Sequence, residues 1–537
     1  MQLVRPDGSY VSGARAVFET LGREKAYESS RTFAWILEAA YRVIAKRRSL
    51  FYQLTRFTFG RHIEPSRFLT TQWVFLRLLA AIYIIAFGSL AVQVLGLVGS
   101  HGVAPAQEYF ARISRSFGPM RLAALPSIFW WNSSDRVLEG AALVGAALAA
   151  LVLFGRLERL CLLLCFVLYL SFSMAGQEFL TFQWDSLLLE AGFLAMFFAR
   201  SVSGARTVAW LFRWLVFRLI FLSGYVKLGS QDRTWRNLTA LDYHFHTQPL
   251  PHVISWYADK LPGGFLRGAT FLVLTIELAT PFLIFMPRRI RHAGAWSIIA
   301  LQVLIFLTGN YTFFNLLTIA LVFFLFDDRE FAWLKLRILE APAAKPARVA
   351  LALLTALLLT LGVTRLSEAI SGIAPEPLSS LGRMAAPFQI SNTYGLFANM
   401  TTMRPEIIVE GSDDGENWQA YEFRYKPGNL YQAPRWVQPY QPRLDWQMWF
   451  AALGNFQSNP WFLGFALRLL EGSPDVLGLL ETNPFPNHPP KFIRAQVYDY
   501  TFTDWETHKR TGAWWQRKLL GEYLPAIGLR STSQEGK

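Results

Sequence analysis

Two neighbouring stretches decide the fold: FLTFQWDSLLLEAGFLAMFF, residues 179–198, and VAWLFRWLVFRLIFLSGYVKL, residues 208–228. Each approaches the roughly 20 mostly apolar residues that a helix needs to cross the hydrocarbon core of a bilayer. Working outward, seven further stretches have the same character, at about 72–98, 137–155, 158–175, 265–286, 292–308, 311–326 and 347–363. The sequence therefore predicts an all-α membrane protein, a polytopic bundle of about nine transmembrane helices.

The composition agrees with a large lipid-facing surface. Of 537 residues, 53% are hydrophobic and 17% are charged, against about 45–50% and 25% in soluble domains. This excludes a disordered chain, and two cysteines exclude a disulfide scaffold. The net charge of +14 resides in residues 1–365, which carry +16, whereas residues 366–537 carry −2. Because the basic residues flank apolar spans, we expect a lipid bilayer as partner and no nucleic acid.

The distribution of basic residues predicts the sidedness. With the N-terminus inside, the inside loops of a nine-span chain hold 12 Lys and Arg in 40 residues, and the outside loops hold 7 in 80. This asymmetry is the one that cytoplasmic loops usually show. An odd number of spans then leaves everything after Val363 outside, in the periplasm, the extracellular space or an organelle lumen.

Three regions follow: a polar, basic N-terminal extension on the cytoplasmic side (1–67), a helical membrane domain (68–365) and a β-rich extracytoplasmic domain (366–537). The last contains alternating segments that read as strands, namely PEIIVE at 405–410, AYEFRY at 420–425 and IRAQVYDYTFT at 493–503. The aromatic stretch DWQMWFAAL at 445–453 is either a helix packed on that sheet or one at the bilayer interface. Residues 31–48 form an amphipathic helix, on the inner membrane surface or in a soluble fold.

Ionisable residues inside the spans are the candidate functional residues, because each charge at mid-bilayer costs about 2.5–3.5 kcal/mol and normally has a partner. Asp185 and Glu190 are five apart on one span, and Arg213 and Arg218 are five apart on the next. The two pairs either neutralise each other in a dry bundle or line a substrate cavity, and we favour the structural interpretation. The charged set is completed by Arg77, Lys227 and Glu277.

Lys227 differs from the other intramembrane charges because it follows Gly224 at the outer end of its span, and that span contains no acidic residue to pair with it. A partly desolvated lysine can lose its proton and act as a base. No metal or cofactor site is predicted: His244, His246 and His252 have no acidic or cysteine partner at fixed spacing. Phosphate loops, GxSxG elbows and HExxH motifs are absent from the sequence.

Several long stretches resemble the lipase maturation factor family. They are LVGSHGVAP at 97–105, FQWDSLLLEAGFLA at 182–195, LTGNYTFFNLLT at 307–318, ISNTYGLFANMT at 390–401, YKPGNL at 425–430 and PYQPRLDWQMWFAALG at 439–454. The motif residues singled out are Trp184, Gly309, Asn310, Asn315, Tyr394, Gly395, Arg443, Asp445 and Trp446. The resemblance implies a multi-pass protein of the endoplasmic reticulum or a bacterial inner membrane that helps secreted lipases to mature; residues 1–65 lie outside it.

A remoter resemblance links FLSGYVKLGSQDRTW at 221–235 to the membrane domain of vitamin K-dependent gamma-glutamyl carboxylases. Lys227 matches the basic lysine of those enzymes, and Trp184-Asp185 occupies the neighbourhood of their histidine. This resemblance implies the alternative function, an enzyme that modifies a lipid or an exported peptide near Lys227, Asp185 and Glu190.

The function predicted from the sequence is therefore a chaperone-like maturation factor for exported proteins, with a lipase as client. No catalytic residue is assigned under this interpretation. The predicted client-binding surface comprises the β-rich domain and its tryptophans Trp436, Trp446 and Trp449, because aromatic amphipathic surfaces bury apolar area without strict geometry.

Overall fold

The computed structural model describes residues 2–60, 64, 66–198, 205–336, 338 and 345–529. Parts of two predicted inside loops, 200–204 and 339–344, lie outside the described residues, as do the last eight residues of the predicted β-rich domain. The chain divides into two compact units. The first comprises residues 1–65 and 285–293, and the second comprises residues 66–284 and 294–537.

The first unit contains a short hairpin and four helices. The hairpin pairs Leu3 with Val11, and the amphipathic segment predicted at 31–48 is helical. Its elements are β1 (Gln2–Val4), β2 (Tyr10–Ser12), α1 (Gly13–Thr20), α2 (Glu24–Glu28), α3 (Arg31–Lys46) and α4 (Arg48–Phe59).

The next helices lie in the second unit, except that residues 288–293 belong to the first. Their bounds are α5 (Leu69–Ala91), α6 (Val94–Val98), α7 (Ala106–Phe117), α8 (Arg121–Ala124), α9 (Asp135–Leu153), α10 (Glu158–Ala175), α11 (Gln183–Phe198), α12 (Ala205–Gly229), α13 (Arg233–Arg236), α14 (Leu241–Thr247), α15 (Val253–Asp259), α16 (Gly263–Leu283), α17 (Arg288–Thr308), α18 (Phe314–Val322), α19 (Lys345–Ser371) and α20 (Leu378–Ala385).

Seven helices in the described part of the chain are long and apolar enough to cross a membrane: α5, α9, α10, α12, α16, α17 and α19. The predicted number of nine is not confirmed. The stretch at 179–198 contains α11, which has 16 residues, and the stretch at 311–326 contains α18 and a 3-10 turn at Phe323–Leu325. Both are shorter than an ordinary bilayer crossing.

Strands appear only after residue 400 in the described part of the second unit. A four-stranded antiparallel sheet has the order β4-β3-β7-β8, and β5 pairs with β6. The bounds are β3 (Pro405–Ser412), β4 (Gln419–Ala420), β5 (Glu422–Phe423), α21 (Arg443–Ala452), α22 (Pro460–Leu470), α23 (Pro474–Leu477), β6 (Leu480–Thr482), β7 (Phe492–Phe502), α24 (Trp505–Thr511) and β8 (Trp515–Ile527).

Both faces of this sheet are covered. Ile407 and Val409 of β3 join the main hydrophobic core, whereas Ile408 packs with Trp256 and Trp515 on the opposite face. Helix α21 packs on β3 and is almost wholly buried, so the aromatic stretch at 445–453 is a helix packed on the sheet. The strand-containing region and the apolar helices thus share one core within the second unit.

The ends of the apolar helices fall into two sets. In the first, loops between helices bond to the region after residue 400: Ser473 donates to the carbonyl of His101 (2.8 Å), and Trp449 donates to the carbonyl of Thr247 (2.8 Å). In the second, Asp328 accepts from the backbone of Leu69 and Thr71 (3.0 Å each). The short helices α11 and α18 run between the two sets. At their starts Trp184 packs on Trp446 and the backbone N–H of Tyr311 donates to Gln438, whereas at their ends Phe198 accepts from Gln72 of α5 and Asp328 follows α18.

Candidate functional site

Asp185 is held by an arginine that lies 258 residues away in the sequence. The Arg443 guanidinium of α21 donates to both oxygens of Asp185, at 2.9 and 3.1 Å, and the Tyr169 hydroxyl donates at 2.5 Å. Arg443 also donates to the carbonyl of Phe179 at 2.6 Å. Asp185 and Arg443 are both fully buried. Of the two acids and two bases expected to neutralise each other, Asp185 therefore takes its cation from outside the set, and Arg213 donates to the carbonyl of Phe324 at 2.8 Å.

Glu190, one helical turn further along α11, pairs with Arg218 of α12. Its second oxygen accepts from the Tyr394 hydroxyl at 2.7 Å and from the backbone of Asn392 at 2.9 Å. Arg218 also donates to the carbonyl of Asn392 at 2.9 Å. Both carboxylates of α11 thus hold segments that follow the last apolar helix, which sequence spacing did not indicate.

Lys227 has an acidic partner, contrary to the expectation from the sequence. Its ammonium donates to the two oxygens of Glu277 at 2.8 and 2.7 Å and to the carbonyl of Ser223 at 3.0 Å. Glu277 lies on α16, which packs against α12 where Gly224 has no side chain: a Cβ there would be 2.8 Å from the Cβ of Glu277. The partner was missed because it lies 50 residues away in the sequence.

A cavity of about 100 Å³ lies beside this ion pair. Its walls are mostly apolar and include Leu219, Ile220, Val273 and Ile305. The polar side chains around it are Ser223, Lys227, His244, Glu277, Gln302, Tyr311, Asn315 and Thr318. Asp185 and Glu190 do not line it, so of the three residues named for the alternative function only Lys227 lies at this cavity.

His244 is a hydrogen-bonding group in the cavity wall. The Tyr311 hydroxyl donates to Gln248 at 2.9 Å and lies 3.2 Å from Nε2 of His244. Because that hydroxyl hydrogen is used, Nε2 carries the imidazole hydrogen and Nδ1 is left as an acceptor. Burial, together with the charge of Lys227, lowers the pKa of His244 to about 4, so the ring is neutral near pH 7.

A second, aromatic cavity of about 440 Å³ adjoins the first. The two share Tyr311, Leu396 and Phe397 as wall residues. The larger cavity is also lined by Phe182, Trp184, Trp446, Trp449, Phe450 and Leu453. Trp446 and Trp449 are 3% and 7% exposed, whereas Trp436 is 46% exposed. The expectation that Trp446 and Trp449 lie on an exposed surface is therefore wrong, because both side chains are buried.

The remaining motif residues connect these features. Asn310 accepts from the backbone of Val437 at 2.9 Å and donates to the carbonyl of Arg435 at 2.9 Å. A Cβ at Gly309 would lie 2.6 Å from the Tyr311 ring, so glycine permits the close turn beside the cavity. The backbone N–H of Gly395 donates to Gln183 at 3.0 Å, and Asn315 donates to Gln302 at 2.8 Å.

Asp445 has a different environment from the other buried carboxylates. It accepts from the backbone N–H groups of Tyr425 and Lys426 at 2.9 Å each. Burial outweighs these hydrogen bonds and raises the pKa of Asp445 to about 6. This residue fixes the turn before α21 rather than contacting either cavity.

A buried charged cluster in the strand region was missed by sequence reasoning. Glu406 of β3 pairs with Arg404 at 2.6 Å and with Lys426 at 3.1 Å. Arg404 also donates to the carbonyls of His246 and Pro249 at 2.8 Å each. Nothing in the local sequence distinguishes these charges from surface charges of a strand.

The three histidines considered as metal ligands do not converge. His244 contacts Tyr311, His246 lies 2.8 Å from Asp259, and His252 caps α15 through its Nδ1. The site as a whole therefore combines a neutral ion pair, hydrogen-bonding groups and an aromatic chamber. Such a set suits the binding of a largely apolar molecule with a polar group.

Comparisons with known proteins cover both parts of the second unit. A family model described as the lipase maturation factor transmembrane domain matches residues 70–333, and one described as the lipase maturation factor C-terminal domain matches residues 390–525. No solved structure matches the chain.

Curated relatives extend the match over most of the chain. Lipase maturation factor 2 of Gallus gallus is 35% identical over 88% of this chain and 83% of its own length. The Homo sapiens protein of that name is 34% identical over 86% and 83%. Lipase maturation factor 1 of Bos taurus is 33% identical over 87% and 90%. This chain, a multi-pass membrane protein, belongs to the lipase maturation factor family.

Proposed function

We propose that this protein is an integral membrane maturation factor for exported proteins and that its clients are secreted lipases. The observation that carries this proposal is the buried bond between Asp185 of α11 and Arg443 of α21. It joins the two parts that the family models cover, and so it makes the strand-containing region a fixed extension of the apolar helices. A region held in this way can meet a client as the client emerges from the membrane.

The proposed arrangement has nine crossings, with the N-terminal extension in the cytoplasm and residues 372–529 on the opposite side, in a periplasm or an endoplasmic reticulum lumen. The basic loops support this sidedness. The two sets of helix ends also support it, since loops that follow alternate helices bond to the region after residue 400. Helices α11 and α18 connect the same two sets although they are short.

The proposed client surface is the rim of the aromatic cavity. Phe450 and Leu453 line that cavity and remain 42% and 44% exposed. Trp436, which belongs to the same strand-containing region, is also exposed. Exposed apolar side chains of this kind contact partly folded proteins without demanding a fixed sequence.

The test is a secreted lipase expressed with this protein, without it, and with rim variants. We expect the activity per mass of secreted lipase to fall at least fivefold without the protein and by a similar factor with Phe450→Ser/Leu453→Ser. Leu519→Ser/Leu520→Ser is the matched control, because both leucines are exposed on β8 away from the cavity. If lipase activity is unchanged without the protein, the maturation function is contradicted. If it falls without the protein but stays normal with Phe450→Ser/Leu453→Ser, the rim of the aromatic cavity is not the client surface.

The alternative function, an enzyme acting on a lipid or an exported peptide, has one observation in its favour: Lys227 lies at a cavity. Asp185 does not support it, because Arg443 and Tyr169 occupy its oxygens. Lys227→Met/Glu277→Met removes the ion pair without leaving a single buried charge. If that variant inserts normally and lipase secretion is unchanged, the ion pair is not required for maturation. This result would contradict an enzymatic reaction at Lys227 as the basis of the function.

A further inference from the structure

The cavity beside Lys227 contains hydrogen-bond acceptors that the protein does not satisfy. The side-chain oxygen of Asn315 is buried and has no hydrogen-bond partner among the described residues, and the same holds for Nδ1 of His244. Asn315 is 1% exposed, and both residues line the cavity. An unpaired buried polar group costs about 1–3 kcal/mol. Two of them around one empty space indicate a missing donor.

The charge of the missing group follows from the ion pair. Lys227 is the one charged base among the described residues that line the cavity, and its ammonium hydrogens already meet Glu277 and the carbonyl of Ser223. A carboxylate or phosphate would add an unpaired negative charge and would face two lone pairs. A second ammonium group would add an unpaired positive charge beside Lys227, whose partner Glu277 is already used. The cavity therefore selects a neutral group that donates hydrogen bonds.

The apolar part of the ligand follows from the neighbouring chamber. The polar cavity is surrounded by aliphatic walls and shares Tyr311, Leu396 and Phe397 with the aromatic cavity of about 440 Å³. Ligand sites typically occupy roughly 300–1,000 Å³ with a few polar groups that fix orientation. The larger cavity by itself has this size, and the smaller one, which shares those three wall residues, supplies the polar groups.

We propose that the paired cavities bind a neutral amphiphile with a hydroxyl head group, of the kind of a monoacylglycerol or a long-chain alcohol. Its hydroxyl donates to Asn315 Oδ1 or His244 Nδ1, and its chain lies among the aromatic residues beyond Tyr311. The proposal does not rest on the nature of the client, since it concerns only what the cavities hold.

Water is the competing occupant, because a space of about 100 Å³ has room for roughly three water molecules. Water would satisfy the two acceptors but would leave the aromatic chamber unfilled. The two occupants are distinguished by the dependence of binding on the head group of an added amphiphile.

The experiment uses the full-length protein purified in detergent and native mass spectrometry with three probes of equal chain length: 1-oleoylglycerol, methyl oleate and oleate. Methyl oleate is neutral but has no donor, and oleate is anionic. We expect 1-oleoylglycerol to form a saturable one-to-one complex at least tenfold tighter than either of the others. Equal binding of 1-oleoylglycerol and methyl oleate, or no saturable complex, overturns the proposal and leaves water as the occupant.

Variants locate the site. His244→Phe and Asn315→Leu are expected to weaken the binding of 1-oleoylglycerol at least tenfold, whereas Thr318→Val is expected to leave its affinity unchanged. Thr318 lines the same cavity, but its hydroxyl already donates to the carbonyl of Phe314 at 2.9 Å.

Ile305→Phe provides a variant that keeps both acceptors, because it fills the cavity from a partly buried wall position. It is expected to abolish binding while the thermal midpoint stays within a few degrees of the unmodified protein. Wild-type affinity in well-folded Ile305→Phe, or the same loss in Thr318→Val as in His244→Phe, overturns the assignment to this cavity.

Discussion

The clusters around Asp185 and Lys227 are both buried ion pairs among apolar helices, yet they differ in what surrounds them. Arg443, Tyr169 and the carbonyl of Phe179 close the space around Asp185. The Lys227–Glu277 pair instead faces a cavity with two unpaired acceptors. A buried charge is therefore not by itself a sign of function. The neighbouring space and the unpaired groups distinguish a structural pair from a candidate binding site.

The cations also differ in chemistry. An arginine stays protonated in proteins, so loss of its partner leaves a buried charge, whereas a lysine can shed its proton when desolvated. The same acid-to-amide substitution in the two clusters should therefore have unequal consequences. The following predictions test this contrast in order of expected size.

Asp185→Asn is expected to have the largest effect. It leaves Arg443 charged and buried, and breaking a pair of this kind costs about 3–5 kcal/mol. The measurement is the thermal unfolding midpoint of the purified protein in detergent. Asp185→Leu/Arg443→Met removes both charges and should recover most of the loss. If the double variant is no more stable than Asp185→Asn, the unpaired charge of Arg443 is not what destabilises Asp185→Asn.

The next prediction concerns Asp445, a buried carboxylate that accepts its hydrogen bonds from backbone N–H groups. Its pKa of about 6 in the folded protein lies above the model-peptide value of about 3.9, so the folded state binds the proton more tightly. Its contribution is fully present below about pH 4 and is lost as the pH rises through 6, by about 3 kcal/mol.

The measurement is the difference in unfolding midpoint between the unmodified protein and Asp445→Asn. The amide oxygen can still accept both backbone N–H groups, so the variant should lack this one pH-dependent contribution. The unmodified protein should lose stability relative to the variant between pH 4.5 and pH 7. A constant difference over that interval would contradict the raised pKa.

Glu277→Gln is expected to cost less than Asp185→Asn, about 1–3 kcal/mol. The adjacent cavity has room for water, which can hydrogen-bond to the Lys227 ammonium in place of the lost carboxylate. The same unfolding assay in the same detergent makes the two substitutions comparable. A loss of stability equal to that of Asp185→Asn would mean that the cavity beside Lys227 and Glu277 does not lower the cost of breaking their ion pair.

Arg435→Ala supplies the smallest expected effect. Its pair with Glu481 is 2.9 Å long, and both side chains are more than a third exposed. Exposed pairs contribute about 0–1 kcal/mol and weaken further in salt. Unfolding midpoints at low and high salt should therefore differ little between the variant and the unmodified protein. A loss of unfolding free energy above about 1 kcal/mol would mean that solvent exposure does not predict how much an ion pair contributes to stability.

The sequence predicted the helices and strands better than the partners of their charges. The stretches at 137–155, 158–175 and 208–228 are helices, and the alternating segments at 405–410 and 493–503 are paired strands. Hydropathy and alternation act over neighbouring residues, so they are visible in one chain. Two spans proved short, because a helix joined to turns within a core need not have the full length of a bilayer crossing.

The candidate site was predicted only in part. Lys227 was singled out for the lack of an acidic neighbour, but Glu277 supplies one from another helix. His244 was considered and rejected as a metal ligand, and Asn315 was named for family resemblance; neither reason pointed to a shared cavity. Trp446 and Trp449 were expected on a surface, and the sheet and α11 bury them.

The sequence by itself determined that this chain has many apolar helices, a charge-poor interior with a few costly ionisable residues, and a strand-containing region near its end. Only the tertiary structure decided that Asp185 meets Arg443 across 258 residues and that Lys227 meets Glu277 beside a cavity. The physical reason is range: helix formation and membrane insertion depend on contiguous residues, whereas a buried charge takes whichever partner the packing of distant elements brings within hydrogen-bonding distance.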